Sequence, residues 1–194
     1  QQGCTLADIL LGKVNPSGKL NVSFPRSTGN TPCFYNHFVT DREEPFDQPG
    51  TPEEPKGHYI FDKPEPLWNF GHGKSYTTFD YVDCALSDTL LAASDTLKVS
   101  VMIKNTGRCD GKEVVQLYVR DKVSTVATPI QQLKAFQKVL IKPGESQCVE
   151  LALPIAELAL YNAKMEEVVE PGDFEIQIGA ASDDIRFKKT ITIN

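Results

Sequence analysis

The sequence is poor in the features that announce most chemistries. No apolar run approaches the roughly 20 residues of a membrane-spanning helix, so no membrane partner is expected. Lys and Arg form no stripe, and 20 of them stand against 26 Asp and Glu for a net charge of −6. Nucleic acid, whose phosphates need clustered cations to displace counterions, is excluded as a partner. The five cysteines, Cys4, Cys33, Cys84, Cys109 and Cys148, contain no CxxC pair and are odd in number. That excludes a zinc ribbon and a complete disulfide framework, and leaves buried or half-buried free thiols. There is no HExxH, EF-hand loop or nucleophile elbow, so neither a metal nor a cofactor is expected. Gly71-His72-Gly73-Lys74-Ser75 contains the Gly-Lys-Ser of a phosphate loop, but the position that must hold that loop's first Gly is Trp68. His37, His58 and His72 lack helical ligand spacing and read as ordinary loop histidines.

What is present fits one domain, or one domain and a fragment: 194 residues, 40% apolar and 24% charged. The chain starts at Gln1 without an initiator Met, a basic n-region or a signal-like apolar stretch, and reads as a piece of something longer. In residues 1–30, Leu6, Ile9 and Leu10 share one face of a short helix that Gly12 stops. The turn Asn15-Pro16-Ser17-Gly18 then leads to a strand-like Leu20-Asn21-Val22-Ser23-Phe24, ended by Pro25. One helix and one strand cannot bury both their faces alone, so neighbours from outside these residues are expected.

Residues 31–77 form a connecting loop. Seven of the 13 prolines fall in 31–66, with eight acids (Asp41, Glu43, Glu44, Asp47, Glu53, Glu54, Asp62, Glu65) against Arg42, Lys56 and Lys63. The negative charge is therefore a property of this stretch. Phe34, Tyr35, Phe38, Phe46, Tyr59 and Phe61 are costly to leave in water, so the loop should wrap over a neighbouring surface. Glu43-Glu44 and Glu53-Glu54 are adjacent pairs whose side chains diverge in an extended chain, which suits solvation better than a paired-carboxylate site. Asn21-Val22-Ser23 fits a glycosylation sequon, but within an expected strand.

From residue 78 to 194 the pattern is all β. Leu97, Val99, Val101 and Ile103 alternate with polar residues or Met102, and Val115/Leu117/Val119, Val149/Leu151/Leu153 and Phe174/Ile176/Ile178 repeat the period of two. Asn105-Thr106-Gly107, Asp110-Gly111, Pro143-Gly144 and Pro171-Gly172 punctuate them as turns. About seven short strands so spaced imply a two-sheet sandwich of the immunoglobulin or fibronectin type III kind.

Three motif groups carry a resemblance. The run Leu6-Ala7-Asp8-Ile9-Leu10-Leu11-Gly12-Lys13-Val14-Asn15-Pro16-Ser17-Gly18-Lys19-Leu20-Asn21-Val22-Ser23-Phe24-Pro25 resembles the close of the α/β sandwich domain in glycoside hydrolase family 3, the β-glucosidases and β-xylosidases. Pro66-Leu67-Trp68-Asn69-Phe70-Gly71-His72-Gly73-Lys74-Ser75-Tyr76-Thr77-Thr78-Phe79 is similar to the stretch leading into that family's last domain. Lys104-Asn105-Thr106-Gly107, Gly111-Lys112-Glu113-Val114-Val115-Gln116-Leu117-Tyr118-Val119, Leu140-Ile141-Lys142-Pro143-Gly144-Glu145 and Val169-Glu170-Pro171-Gly172-Asp173-Phe174 resemble its fibronectin type III-like domain.

The resemblance implies a mainly β chain: a fibronectin type III-like sandwich (78–194) preceded by a residual helix and strand of an α/β sandwich (1–30) and the proline-rich loop (31–77). It implies a retaining enzyme acting on terminal non-reducing β-glycosidic bonds of an oligosaccharide, secreted or periplasmic by family habit. The nucleophile and acid/base would lie in a barrel and an upstream α/β sandwich absent from this sequence, so no catalytic residue carries over and the chain alone is expected to be inactive. Its partners would be those missing domains, or a second copy, because Leu6, Ile9, Leu10, Val22 and Phe24 would otherwise be bare, unless the N-terminal segment repacks in a non-native way. Trp68, His72 and Tyr76 are the candidates for a sugar-facing or domain-facing surface, against a role in packing the connection onto the sandwich. The alternative class is an independent carbohydrate-binding or adhesive module.

Overall fold

A computed structural model describes residues 2–38, 51, 52, 63 and 65–194. His58, Phe46, Tyr59, Phe61, and every acid named in the loop except Glu65 lie outside the described residues, and with them most of the expected wrap.

Seven strands of eight or more residues make the two sheets: β1 (Phe79–Leu86), β3 (Thr96–Asn105), β4 (Gly111–Asp121), β5 (Gln132–Ile141), β6 (Ser146–Pro154), β9 (Gly172–Ala181) and β10 (Asp184–Ile193). Two-residue strands β2 (Leu90–Leu91), β7 (Leu160–Tyr161) and β8 (Glu167–Val168) complete the set among the described residues. One sheet has the order β1-β3-β6, the other β2-β10-β9-β4-β5, and β7 pairs with β8. All long neighbours are antiparallel.

The core is the set the alternation marks. Leu97, Val99, Val101 and Ile103 of β3 face Val115, Leu117 and Val119 of β4, with Val149, Leu151, Leu153, Phe174, Ile176 and Ile178 in the same cluster. Two departures from simple alternation have identifiable causes. In β1 a bulge at Val82 shifts the register, so Phe79 and Tyr81 before it and Cys84 and Leu86 after it all point inward, although their parity differs. In β4 every residue from Glu113 to Val119 is buried. A third layer covers its outer face, and strands covered on both sides lose their polar alternate positions.

That layer is the N-terminal part of the chain. Helix α1 (Gln2–Leu10) ends in a Schellman motif: Gly12 takes φ +72°, its N–H donates to Ile9 O and Lys13 N–H donates to Asp8 O, both at 2.9 Å. The chain then runs antiparallel to residues 67–72. Leu20 N–H donates to His72 O, Gly71 N–H to Leu20 O, Phe24 N–H to Trp68 O and Leu67 N–H to Phe24 O, each at 2.8 Å. The expected strand over 20–24 is thus an extended segment with one regular bridge, Phe24 to Trp68. Its ladder is interrupted because the Phe70 N–H goes to the Ser23 hydroxyl at 3.2 Å and not to a backbone carbonyl. The described start of the loop lies on the same side, where Ile130 N–H donates to His37 O at 2.9 Å. All five cysteines are free; Cys84 is buried, Cys33 and Cys109 half-buried, and Cys4 and Cys148 exposed, the last two contrary to the sequence expectation.

Candidate functional site

The residues of most chemical interest sit where the N-terminal layer meets the sandwich. Asn15, just past the helix stop, joins three parts of the chain. Its Oδ1 accepts from the Tyr76 N–H (2.8 Å) and the Ser75 hydroxyl (3.0 Å), while its Nδ2 donates to Asp110 O (2.9 Å) in the β3–β4 turn. Four residues on, the Lys19 ammonium reaches under the layer. It donates to Glu113 Oε1 at 3.3 Å and to Ala180 O at 3.1 Å, and the Tyr81 hydroxyl donates to the same Glu113 oxygen at 3.1 Å. Burial pushes the Glu113 carboxyl above the usual carboxylate range, and Lys19 and the Tyr81 hydroxyl pull it back. Burial, then the charge of Glu113, push the Tyr81 phenol far up, so it serves as a donor throughout the working pH range. The Arg186 guanidinium stands 5.8 Å over the Tyr81 ring.

A carboxyl with a raised pKa is a usual mark of an active site. Here Glu113 is only 5% exposed and lines neither of the two cavities described below, so its position suits holding the layer in place.

Gly71-His72-Gly73 explains itself at the same contact. Gly71 has φ +82°, and a Cβ there would fall 2.2 Å from Gln116 Oε1; a Cβ on Gly73 would fall 2.4 Å from Gly18 O. The glycines let two backbones close on the sheet, and Gln116 Nε2 donates to Gly71 O (3.3 Å) and Ala180 O (2.6 Å). Gly71→Ala should therefore cost about 1–3 kcal/mol in a urea titration, from left-handed strain plus displacement of Gln116. A loss below about 0.5 kcal/mol contradicts the close-approach reading.

Trp68, His72 and Tyr76 follow one another along this stretch but do different things. The Trp68 ring packs edge-on to Phe24, centroids 6.0 Å apart, and is 46% exposed. The Tyr76 hydroxyl donates to Ile9 O at 2.8 Å, fastening helix α1 to the connection. His72 Nε2 is buried without a hydrogen-bond partner. Tyr76→Phe should leave global stability within about 1 kcal/mol, since the bond is exposed, yet speed amide exchange in residues 6–12; unchanged exchange there removes the fastening role.

A cavity of about 310 Å³ opens beside this layer, lined by Asn21, Ser23, Thr31, Tyr35, Asn36 and Phe70 among others, and by none of the three. Tyr35 is its organising ring: it stacks on Phe70 (4.1 Å), meets Tyr118 edge-on (5.9 Å), and its hydroxyl accepts the Leu133 N–H at 3.2 Å. In the sequence Tyr35 is one of six aromatics in residues 31–66, with no local signal that sets it apart. A second cavity, near Asp121 and Lys134, measures about 60 Å³, too small for a sugar ring. Among the described residues no group of three or more His, Cys, Asp or Glu is placed to hold a metal ion.

Residues 1–76 match the Glycosyl hydrolase family 3 C-terminal domain, and residues 113–182 match the Fibronectin type III-like domain. The chain belongs to glycosyl hydrolase family 3. It is 41% identical over 186 residues to a β-xylosidase of Formosa agariphila, covering 95% of this chain and 24% of that protein. It is 39% identical over 183 residues to a periplasmic β-glucosidase of Salmonella typhimurium, covering 93% and 23%. The crystal structure of β-glucosidase from Listeria innocua superposes with a TM-score of 0.87 at 36% identity, covering 100% of this chain and 26% of that one. This family 3 chain thus spans about a quarter of the length of the relatives it matches. Because the superposition runs through the whole chain, the N-terminal layer sits on the sandwich as it does in that enzyme. A non-native repacking, one of the outcomes the sequence allowed, is therefore not what is found. Close contacts at Gly71, Gly73 and Lys19 hold the layer where it is.

Proposed function

We propose that this chain is the C-terminal part of a retaining β-glycosidase of the β-glucosidase or β-xylosidase type, which hydrolyses terminal non-reducing β-glycosidic bonds. In this reading the chain supplies architecture and no catalytic group. The observation that carries it is the full-length superposition on the Listeria innocua β-glucosidase, of which the chain covers 26%. The site geometry favours the architectural role. Retaining hydrolysis needs two carboxyls roughly 5 Å apart across a bound sugar, and the buried carboxyl at the layer contact, Glu113, is held by Lys19 and Tyr81 away from both cavities. The proposed division is an α/β sandwich remnant (1–30), a connection (31–77) and the fibronectin type III-like domain (78–194). Trp68 is the strongest of the three candidates for a surface facing sugar or a neighbouring domain, because its ring keeps an open side, whereas the hydroxyl of the equally open Tyr76 is committed to Ile9 O and His72 Nε2 is buried.

The test compares this chain with the same polypeptide extended upstream, on p-nitrophenyl β-glucoside and β-xyloside. Turnover from the longer polypeptide and none from the 194-residue chain is expected. Turnover by the chain itself overturns the architectural role. Heat from the chain alone on titration with cello- or xylo-oligosaccharides, with no turnover from either polypeptide, would favour an independent carbohydrate-binding module instead.

A further inference from the structure

Two Asn-x-Ser triplets occur in the sequence, Asn15-Pro16-Ser17 and Asn21-Val22-Ser23, and no Asn-x-Thr. Proline in the middle position blocks the first as a glycan acceptor. The fold makes the same division. Asn15 spends both ends of its amide on Tyr76, Ser75 and Asp110, so its nitrogen is committed to holding the layer. Asn21 is exposed, and among the described residues its side-chain amide has no hydrogen-bond partner.

A strand over residues 20–24 would count against the second triplet, because a backbone locked into a ladder presents its side chains poorly to a modifying enzyme. The structure removes that objection. The backbone bonds to residues 67–72 engage Leu20 and Phe24 and pass over Asn21 and Val22, where the chain bends. Ser23 has a structural reason for its place, since its hydroxyl accepts the Phe70 N–H at 3.2 Å. Asn21 has none among the described residues. Asn21, Val22 and Ser23 also line the cavity of about 310 Å³, so the space beside the acceptor is open. Phe34 lines the same cavity at 64% exposure and offers a first sugar ring an apolar face to rest on.

We propose that Asn21 is an N-glycan acceptor, modified at Nδ2 from a lipid-linked oligosaccharide donor. In that step Nδ2 bonds to the anomeric carbon of the first N-acetylhexosamine. The bond from that carbon to the lipid pyrophosphate breaks, the pyrophosphate leaves with the electron pair, and one amide proton passes to the transferase. The product sets a polar branch at the mouth of the cavity, beside the exposed apolar side chains of Val22 and Phe34. The proposal does not depend on the glycosidase reading, and each can fail alone.

The test expresses the 194-residue chain and the upstream-extended polypeptide behind a cleavable secretion signal in yeast, and reads both by intact-protein and peptide mass spectrometry. Each should carry one glycan, on Asn21, which peptide N-glycosidase removes with a gain of about 1 Da at that residue as the amide becomes a carboxylate. Asn21→Gln should abolish the glycan, and against the deglycosylated parent its melting should move by less than about 1 °C, because the amide bonds to nothing. Ser23→Thr keeps a hydroxyl for the Phe70 N–H and should keep the glycan, whereas Ser23→Ala should lose it. No glycan on either polypeptide overturns the proposal, as does a glycan on Asn15 or one that survives Asn21→Gln. A glycan on the 194-residue chain alone also overturns it, because upstream residues then close the site. Turnover of p-nitrophenyl glycosides is read separately: a glycosylated longer polypeptide without turnover removes the enzyme reading and leaves Asn21 as an acceptor.

Discussion

Asn105→Ala should cost about 3–5 kcal/mol, among the largest losses any single polar substitution in this chain can produce. Asn105 ends β3 with no exposed surface. Its Nδ2 donates to Ile141 O at 2.8 Å and to Cys109 O at 2.9 Å, and its Oδ1 accepts from the Thr77 hydroxyl at 2.6 Å and the Gly107 N–H at 3.0 Å. One amide thereby joins the end of β5, the β3–β4 turn and the last residues of the connection. Truncation orphans at least the Ile141 carbonyl and the Thr77 hydroxyl in a buried setting, at about 1–3 kcal/mol each, and loses the packing of the side chain besides. Asn105→Asp keeps the acceptor but loses both donors and buries a charge, so it should be no better at neutral pH. Urea unfolding followed by circular dichroism measures the loss. The neighbouring Thr106→Ala, at an exposed position, serves as the control within about 0.5 kcal/mol. A loss below about 1 kcal/mol for Asn105→Ala would show that water satisfies these groups and that the junction is not a unit.

The same residue marks the limit of what the amino-acid sequence discloses. Asn105-Thr106-Gly107 is legible as a turn from its composition, and the turn is there, with the Gly107 N–H on the Asn105 side chain. Nothing local reveals that the other half of this amide is spent 36 positions away on Ile141. Strands such as β3 are legible because one face is wholly buried and the other open, so hydrophobicity alternates. β1 is not, because the bulge at Val82 changes which parity faces inward. Residues 20–24 read as a strand from their side chains, but a strand is defined by its partner, and the Ser23 hydroxyl takes one of the partner's donors. The candidate site divides in the same way. Trp68, His72 and Tyr76 stand out as aromatics in a glycine-rich stretch, whereas the Lys19, Glu113 and Tyr81 cluster is assembled from three segments whose separations carry no motif. Long-range polar contacts of this kind depend on fold geometry, and a single sequence holds no local signal for them.

That cluster yields the second large effect. Lys19→Met should cost about 3–5 kcal/mol at neutral pH, because it leaves the Glu113 carboxylate buried without its cation, and removing one partner of a buried pair is worth that much. Side-chain exposure is 17% for Lys19 and 7% for Glu113, so water offers little replacement. The pH dependence follows from the direction of the Glu113 shift. Its folded pKa lies above the unfolded carboxylate value, so the folded state holds the proton more tightly, and this group's contribution to stability rises as pH falls through the folded pKa toward the unfolded one. Without Lys19 the folded pKa moves higher still, and the window opens nearer neutrality. The deficit of Lys19→Met against the parent should therefore shrink between pH 7.5 and pH 5. Taking the difference between variant and parent at each pH cancels the opposite trend of the exposed carboxylates. Lys19→Met combined with Glu113→Gln removes the charge, keeps an acceptor for the Tyr81 hydroxyl, and should recover more than half of the loss while flattening the pH dependence. A deficit that stays constant with pH and survives in the double variant would assign the cost to the lost contact between Lys19 and Ala180 O, and would take the ion pair out of the account of how the layer is held.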